Sequence, residues 1–572
     1  MKKKFITTVA ALILFSTMTI SGAAADASSG KAPQPTIERH GKAGKALEDQ
    51  HGSPHSHSWD DPGPSSPVLH PGSAAAAGMV KAPLNQIDDA VKEAISNRVM
   101  PGAVTLIARR GTIAQWEAYG YAARYTDANF TEMKHPVKMA KDTIFDLASI
   151  SKLFTATAVM QLWDQGRFDL DDPVAKYIPE FAVNGKQDVT IRQLLTHTSG
   201  FRPDPPIPLY EIPGSREDKL QYVLQEPLRY PPGTHYVYSD INFMTLGVLV
   251  ERLTGQREDE FVREHITEPL NMTDTMYNPP EKLKPRIAAT EYQPWTDRGL
   301  VWGSVHDENA WALDGVAGHA GVFSTAHDLA VFGQMMLNGG KYKGKQVLSD
   351  QAVKLMTTNW NEAFPGQNMG LGWELAQGWY MDALAESSTF GHTGYTGTSI
   401  VISPNNKTIA ILLTNRVHPT RETVSTNPIR RTVSRMAADA IPVAIPGKDG
   451  AWFSGYGSHL NRTLTAEVNL KKDAELSFET WYRTEPGYDF AVVETSSDGE
   501  NWTEAARYTG SSGEWGVETY RLPENTKYIR FRYDTDTTVN GRGWYVKNVR
   551  IHSDGNTVKA DLESSDWTWR NR

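Results

Sequence analysis

Cysteine is absent from the 572-residue chain. That excludes a disulfide framework, a thiol nucleophile and a thiolate metal site, so the fold must rest on its own apolar cores. Long hydrophobic runs are missing too. After Ile20 no stretch is long and apolar enough to cross a bilayer, and no stable membrane anchor is expected. There is no positive excess either: the formal net charge is −9 with Lys and Arg scattered, which argues against nucleic acid as a partner. The chain holds no G-x-S-x-G, which weakens an α/β-hydrolase reading, and no H-E-x-x-H, which speaks against a zincin metallopeptidase.

What is present suffices for two or three compact units, since 40% of the residues are hydrophobic. Met1 to Lys4 form a positive region, Phe5 to Ile20 a short apolar core, and Ala23 to Ala25 a small-residue cleavage site. Residues 1–25 therefore read as a secretory signal peptide, and the protein as secreted. Residues 26–80 are rich in Gly, Ser, Ala, Pro and His without apolar periodicity, and read as a disordered linker or pro-segment. The histidines there (His51, His55, His57 and His70) fit a solvated tract better than a metal site.

Residues 81–445 read as one α+β domain. A helical pattern over 84–96 precedes two strand-like runs, 103–108 and 112–118, joined at Arg109 to Gly111 as a hairpin. Strand patterns return at 398–402 and 408–413, and a helix from about Val424 to Ala440 closes the unit. Strands at both ends with a helical region between them predict one antiparallel sheet shared by the two termini and flanked by helices. Residues 446–572 carry many short strand patterns with turn punctuation, which predicts an all-β sandwich.

Three elements carry chemistry. After Ser149, the apolar residues Leu153, Phe154, Val159, Met160 and Trp163 recur at helical spacing, which places Ser149 and Lys152 side by side in the first turn of a buried helix. A hydroxyl beside an amine at the positive end of a helix is a nucleophile that can be activated. A lone S-x-x-K proves nothing, since Ser28 and Lys31 match it as well. The second element is Tyr238-Ser239-Asp240 before an apolar helix at 244–253, where a tyrosine hydroxyl can relay the proton. The third is His392-Thr393-Gly394 directly before a strand, where the glycine admits a ligand and the Tyr395 amide can complete an oxyanion hole. His319-Ala320-Gly321 has the same form but leads into a helix, and ranks lower.

In this order and spacing, the three elements resemble the serine β-lactamase and penicillin-binding protein superfamily, and most of all its class C-like branch of DD-peptidases, esterases and amidases. The segments 194–200 and 318–326 look like recurrent strings of that branch. The resemblance implies an acyl-enzyme at Ser149, with Lys152 and Tyr238 as the general-base pair. It places Asp240, His392, Thr393, Gly394 and Tyr395 at the substrate, with no catalytic metal. Either Lys152 or Tyr238 can take the proton, once burial or a neighbouring cation lowers its ordinary pKa of about 10. Two positions depart from the common pattern: Asp240 stands where Asn is commoner, and His392 where classical β-lactamases carry Lys. A mostly neutral histidine is expected to contact substrate by hydrogen bonding rather than by charge.

The implied substrates are small molecules or muropeptides, cut at the amide between muramic acid and the stem peptide or at a D-Ala-D-Ala bond. The segment 303–310 with the Gly318 to Gly321 string favours the muropeptide amide. An esterase or lactam hydrolase is the alternative, and a penicillin-binding receptor with little turnover is the alternative of another class. The tail, at 488–502 and 529–536, resembles the β-sandwich appended to some secreted immune-inhibitor-type metallopeptidases. That implies an accessory module that could attach to cell wall. Calcium is the one cofactor it admits, with Asp534 and Asp536 as candidate ligands, although strand-edge charges are the simpler account.

Overall fold

The computed structural model describes residues 57–447 and 449–572, and His57–Arg572 form one compact unit. The signal-peptide segment and the linker up to residue 56 lie outside the described residues. The rest of the expected linker does not conform to expectation. Residues 57–80 lie against the domain, with Leu69, Ala74, Ala77, Met79 and Val80 buried. His70–Pro71 (β1) pairs in parallel with Thr112–Ile113. The apolar residues here are too irregularly spaced to show a period, but they reach an existing core, and Val80 donates its N–H to the Ala440 carbonyl at 2.7 Å.

The central sheet is built as the strand patterns predict. Strands β2 (Gly102–Arg109) and β3 (Thr112–Tyr125) form the hairpin; β4 (Glu132–Lys138) pairs with β3. Arg110 and Gly111 between them both have positive φ, as a two-residue turn matched to strand twist requires. A Cβ on Gly111 would meet the Ser66 carbonyl oxygen at 2.1 Å, so glycine is also needed for the strap over 57–80 to lie flat. From the other end of the domain come β5 (Glu374–Leu375), β6 (Phe390–Thr393), β7 (Ser399–Ser403) and β8 (Thr408–Thr414). The order is β1-β3-β2-β8-β7-β6-β5, with β8 antiparallel to β2. The two termini thus share one sheet.

Both faces of this sheet are covered, and its strands alternate between two cores. Val104, Leu106 and Ala108 with Ile409, Ile411 and Leu413 face the larger core. Ala103 and Ile107 with Ala410 and Leu412 face a second core under helices α1 (Lys81–Ser96) and α6 (Asn427–Asp439). The larger core contains α2 (Ser151–Asp164), α3 (Asp240–Thr254) and α4 (Ala326–Leu337). Helix α2 is buried on all sides, which is why its apolar residues do not form a single stripe. A short helix, α5 (Gly378–Met381), follows β5.

Beyond residue 450 the chain is all β. A six-stranded sheet and a four-stranded sheet, 461–467 with 528–534, 490–496 and 503–508, enclose a core that includes Phe478, Val493, Phe531, Trp544 and Trp567. The Trp544 indole N–H donates to Thr480 Oγ1 at 2.7 Å, so the buried ring keeps its hydrogen bond. This module grips the first domain at several points. Arg483 bonds Glu386 and the Ala383 carbonyl, Arg570 pairs with Asp439 at 2.9 Å, and Val539 abuts Gly378.

Candidate active site

Ser149 sits on a 3₁₀ turn, Ala148–Ile150, that leads directly into α2. The turn is forced from both sides. Buried Asp146 accepts the N–H groups of Ala148 at 2.8 Å and His306 at 2.6 Å, while Thr396 and Thr398 donate to the carbonyls of Asp146 and Leu147. Ala148 is held at φ +47°, a left-handed conformation that costs a non-glycine residue about 1–2 kcal/mol. The strain turns Ser149 out into the cleft at the start of the helix.

Lys152 is fully buried one turn on, and its Nζ donates to Ser149 Oγ at 2.8 Å. The same Nζ lies 2.7 Å from Asp240 Oδ1, 3.4 Å from the His319 carbonyl, and 4.8 Å from the centre of the Tyr238 ring. Burial alone would pull the ammonium down. The Asp240 carboxylate, with Tyr238 beside it, outweighs burial and holds Lys152 above its ordinary value. Of the two shifts the sequence leaves open, burial lowering Lys152 does not prevail, because the second element ends in an acid. Tyr238 is pushed up to about 12: burial raises it, and the neighbouring ammonium only partly offsets the rise.

The placement of Tyr238 depends on His197, in the segment 194–200. His197, at φ +58°, lies under the Tyr238 ring at 4.4 Å, and its Nδ1 is 3.1 Å from both the Ser239 N–H and the Asn242 amide. Burial, then the nearby Lys152, holds His197 well below the usual imidazole range, so it serves as a neutral shelf. His319, ranked lower from sequence, belongs to the same neighbourhood. Besides its carbonyl on Lys152, its Nε2 lies 2.9 Å from Asp307 Oδ1.

The third element lies on the opposite wall. His392 and Thr393 end β6, with Gly394 and Tyr395 in the turn after it. A Cβ on Gly394 would strike the Leu147 carbonyl oxygen at 2.3 Å, so only glycine lets this strand end lie against the Ser149 turn. His392 is buried and held at about 3, by burial first and then by Lys152, so its ring is neutral at working pH. Its Nδ1 faces the Thr393 carbonyl at 2.8 Å, and its Nε2 is buried without a partner, 6.2 Å separating its ring centre from that of Tyr238. The structure thus brings together Ser149, Lys152, Tyr238, Asp240, His392, Thr393, Gly394 and Tyr395.

Arg416, after β8, and Arg430, on α6, line the same cleft of about 480 Å³ as Ser149, Tyr238 and His392. Arg430 donates to the carbonyls of Gly394 at 2.7 Å and Thr398 at 2.9 Å; Arg416 reaches those of Arg421 and Thr423. These acceptors, and Asn427 Oδ1, which accepts from Arg430 at 2.9 Å, are all neutral, and each arginine has a buried Nε without a partner among the described residues. Burial lowers Arg430 to about 10, still cationic at neutral pH, while the cleft's Glu374 is raised by burial to about 7. The cleft therefore carries net positive charge at this end. No local pattern marks these arginines, which are brought to His392 only by the closing strand and helix.

Asp240, Asp307 and His319 offer ligand atoms within 4.8 Å of one another, a spacing that a metal could use. The Lys152 ammonium already faces Asp240 there, and a second cation would have to displace it.

The family model described as Beta-lactamase matches residues 87–434. Among curated relatives, a putative D-alanyl-D-alanine carboxypeptidase of Escherichia coli (strain K12) is 38% identical over 381 residues, covering 62% of this chain and 86% of the relative. A protein of the same description from Salmonella schwarzengrund is 35% identical over 391 residues, covering 63% and 89%. Among solved structures, a penicillin-binding protein homologue from Caulobacter crescentus is 20% identical with a TM-score of 0.49, covering 63% of this chain and 98% of that one.

Proposed function

Because the chain belongs to the β-lactamase family and is a serine hydrolase, we propose that it removes the terminal residue from peptides ending in D-Ala-D-Ala, as a carboxypeptidase of peptidoglycan stem peptides. The observation that carries this reading is the cleft's polarity. The nucleophile, bonded by its lysine, shares one cleft with a cationic end whose two arginines have no acidic partner among the described residues. A peptide C-terminus supplies the carboxylate that such an end accepts, and a planar guanidinium fits it better than a neutral histidine does. The names of the curated relatives point the same way.

In this reading Ser149 Oγ attacks the carbonyl of the penultimate residue. Its proton passes to Lys152 Nζ once the ammonium, held 2.7 Å from Asp240, has given up its own proton. The N–H groups of Ser149 and Tyr395 face the developing oxyanion, and the Tyr395 amide has no backbone partner among the described residues. Neutral Tyr238 then protonates the leaving amine, terminal D-alanine departs, and water hydrolyses the acyl-enzyme with the relay run in reverse. His392 accepts a hydrogen bond at its free ring nitrogen, since its one N–H, on Nδ1, faces the Thr393 carbonyl. Export to the compartment where this substrate is found is part of the proposal and rests on the pattern of residues 1–25.

The test is incubation with purified pentapeptide muropeptides, read by mass spectrometry. Loss of one terminal alanine is the expected result. Release of intact stem peptide from the lactoyl sugar would move the activity to the muropeptide amide. Rapid ester hydrolysis with both wall substrates untouched would overturn the wall reading.

A further inference from the structure

The C-terminal module holds a group of acids that the catalytic reading does not use. Glu485 and Asp489 lie in the loop between strands 474–483 and 490–496, and Asp536 follows strand 528–534. Their three ligand oxygens all lie within 4.8 Å of one another. Three carboxylates at such range repel strongly unless something neutralises them.

One of the three is more than a surface acid. Asp489 is fully buried, at 0% exposure. Its Oδ1 accepts the Asp536 N–H at 3.1 Å, but its Oδ2 is buried with no hydrogen-bond partner among the described residues. Glu485 Oε2 is buried and unpartnered as well. A buried carboxylate oxygen left bare costs several kcal/mol, and proteins tolerate it where a proton or a metal ion fills the gap. Burial and the neighbouring acids together push Glu485 up to about 7 and Asp489 to about 6, the response of a site short of positive charge. Asp534, a candidate ligand from sequence, is instead paired with Arg532 at 2.8 Å and stays outside the group.

We propose that Glu485, Asp489 and Asp536 form a site for a calcium-class divalent cation that ties the module's two domain-gripping loops together. An all-carboxylate set without histidine selects a hard cation, and flexible loops that can add carbonyls and water favour the larger ion over magnesium. The position gives the site its consequence. Glu485 lines a cavity of about 960 Å³ between the module and the first domain, together with Asp382, Glu386 and Gly378. The loop that carries Glu485 starts at Arg483, which bonds Glu386 and the Ala383 carbonyl. The loop after Asp536 carries Val539, which abuts Gly378 at the start of α5, and Trp379 of α5 lines the catalytic cleft. A cation bridging the two loops therefore braces the module against the segment that walls the cleft. This proposal does not depend on the identity of the substrate.

The experiment uses the full chain stripped with EDTA, titrated with calcium chloride and followed by thermal unfolding and by calorimetry. Calcium is expected to raise Tm by several degrees, saturating between about 10⁻⁵ and 10⁻³ M, the range of extracellular calcium modules. Asp489→Asn keeps the packing and is expected to abolish the shift without lowering the calcium-free Tm. Asp536→Asn, at a more exposed position, serves where the first variant does not fold. A wild-type Tm and heat that ignore calcium up to about 10 mM, an equal shift with magnesium, or a full calcium shift in the folded variants would overturn the assignment.

Discussion

Lys152 Nζ lies 2.7 Å from Asp240 Oδ1, and this pairing sets the protonation of the lysine. Asparagine in place of Asp240 would leave Lys152 to the effect of burial, which favours the neutral amine. The aspartate reverses that balance, and the lysine rests as an ammonium. A base is then available only when the ammonium has given up that proton. Each tenfold change in a proton-binding constant is about 1.4 kcal/mol, so the pair adds directly to the barrier at low pH.

The first prediction follows from the sign of that effect. A group held above its ordinary pKa loses its proton only at higher pH, so activity that needs neutral Lys152 should rise with pH. Asp240→Asn removes the charge that raises Lys152. The acid limb of the kcat/KM profile should move to lower pH by about one unit or more. A limb that stays in place would show that Asp240 does not govern the base.

Ser149→Ala should abolish covalent labelling by a fluorescent penicillin or a fluorophosphonate and reduce turnover by about 10⁴-fold or more. The fold should persist, because the turn is set by Asp146, Thr396 and Thr398 rather than by the Ser149 side chain. Circular dichroism and Tm check the fold. Full-rate labelling of the variant would remove Ser149 as the nucleophile.

Arg416→Ala should raise KM about 10- to 100-fold for a peptide with a free C-terminal carboxylate, the loss expected for a charge-assisted hydrogen bond. For a neutral ester of the same acyl group it should change KM little. Arg430 is the poorer test, because its bonds to Gly394 and Thr398 also hold the strand end in place. Equal effects on charged and neutral substrates would refute a carboxylate site.

Much of this site was legible in the sequence because its parts are local. Ser149 and Lys152 are one helical turn apart, Tyr238 and Asp240 flank a helix start, and Gly394 ends a strand; each pattern reports its own backbone. The central sheet was legible for the same reason, through strand runs at 103–108 and 408–413 that alternate between two cores. Residues 57–80 were not, since their apolar residues follow no period and are held only by contact with a finished sheet. Arg416 and Arg430 were hidden by distance along the chain, as were His197 beneath Tyr238 and Asp307 beside His319. The sign of the Lys152 shift was hidden as well. Burial could be read from the helix, but the 2.7 Å approach of Asp240 exists only in three dimensions.

Glu258 offers a test of stability that leaves the nucleophile untouched. It is almost fully buried, and Thr155 Oγ1, one turn after Lys152, lies 2.6 Å from its Oε1. That hydroxyl also lies 2.8 Å from the Gly318 carbonyl, which can only accept. A hydroxyl has one proton to give. If Thr155 donates to Gly318, the contact with Glu258 needs a proton from the carboxyl itself, an arrangement open only to neutral Glu258. Burial above all, with Glu251 nearby, raises its pKa to about 8 from the ordinary 4.5. In the unfolded chain the carboxyl ionises near 4.5, while in the fold it holds its proton until about 8. Between those values the unfolded state binds fewer protons, so stability falls as pH rises through that window. Glu258→Gln keeps the shape, lets its amide donate to Thr155, and cannot ionise. The variant should match wild type below about pH 4 and exceed it at pH 8, by at least about 1 kcal/mol in chemical denaturation. Equal stability of the two proteins at pH 8 would show that Glu258 is ionised in the fold.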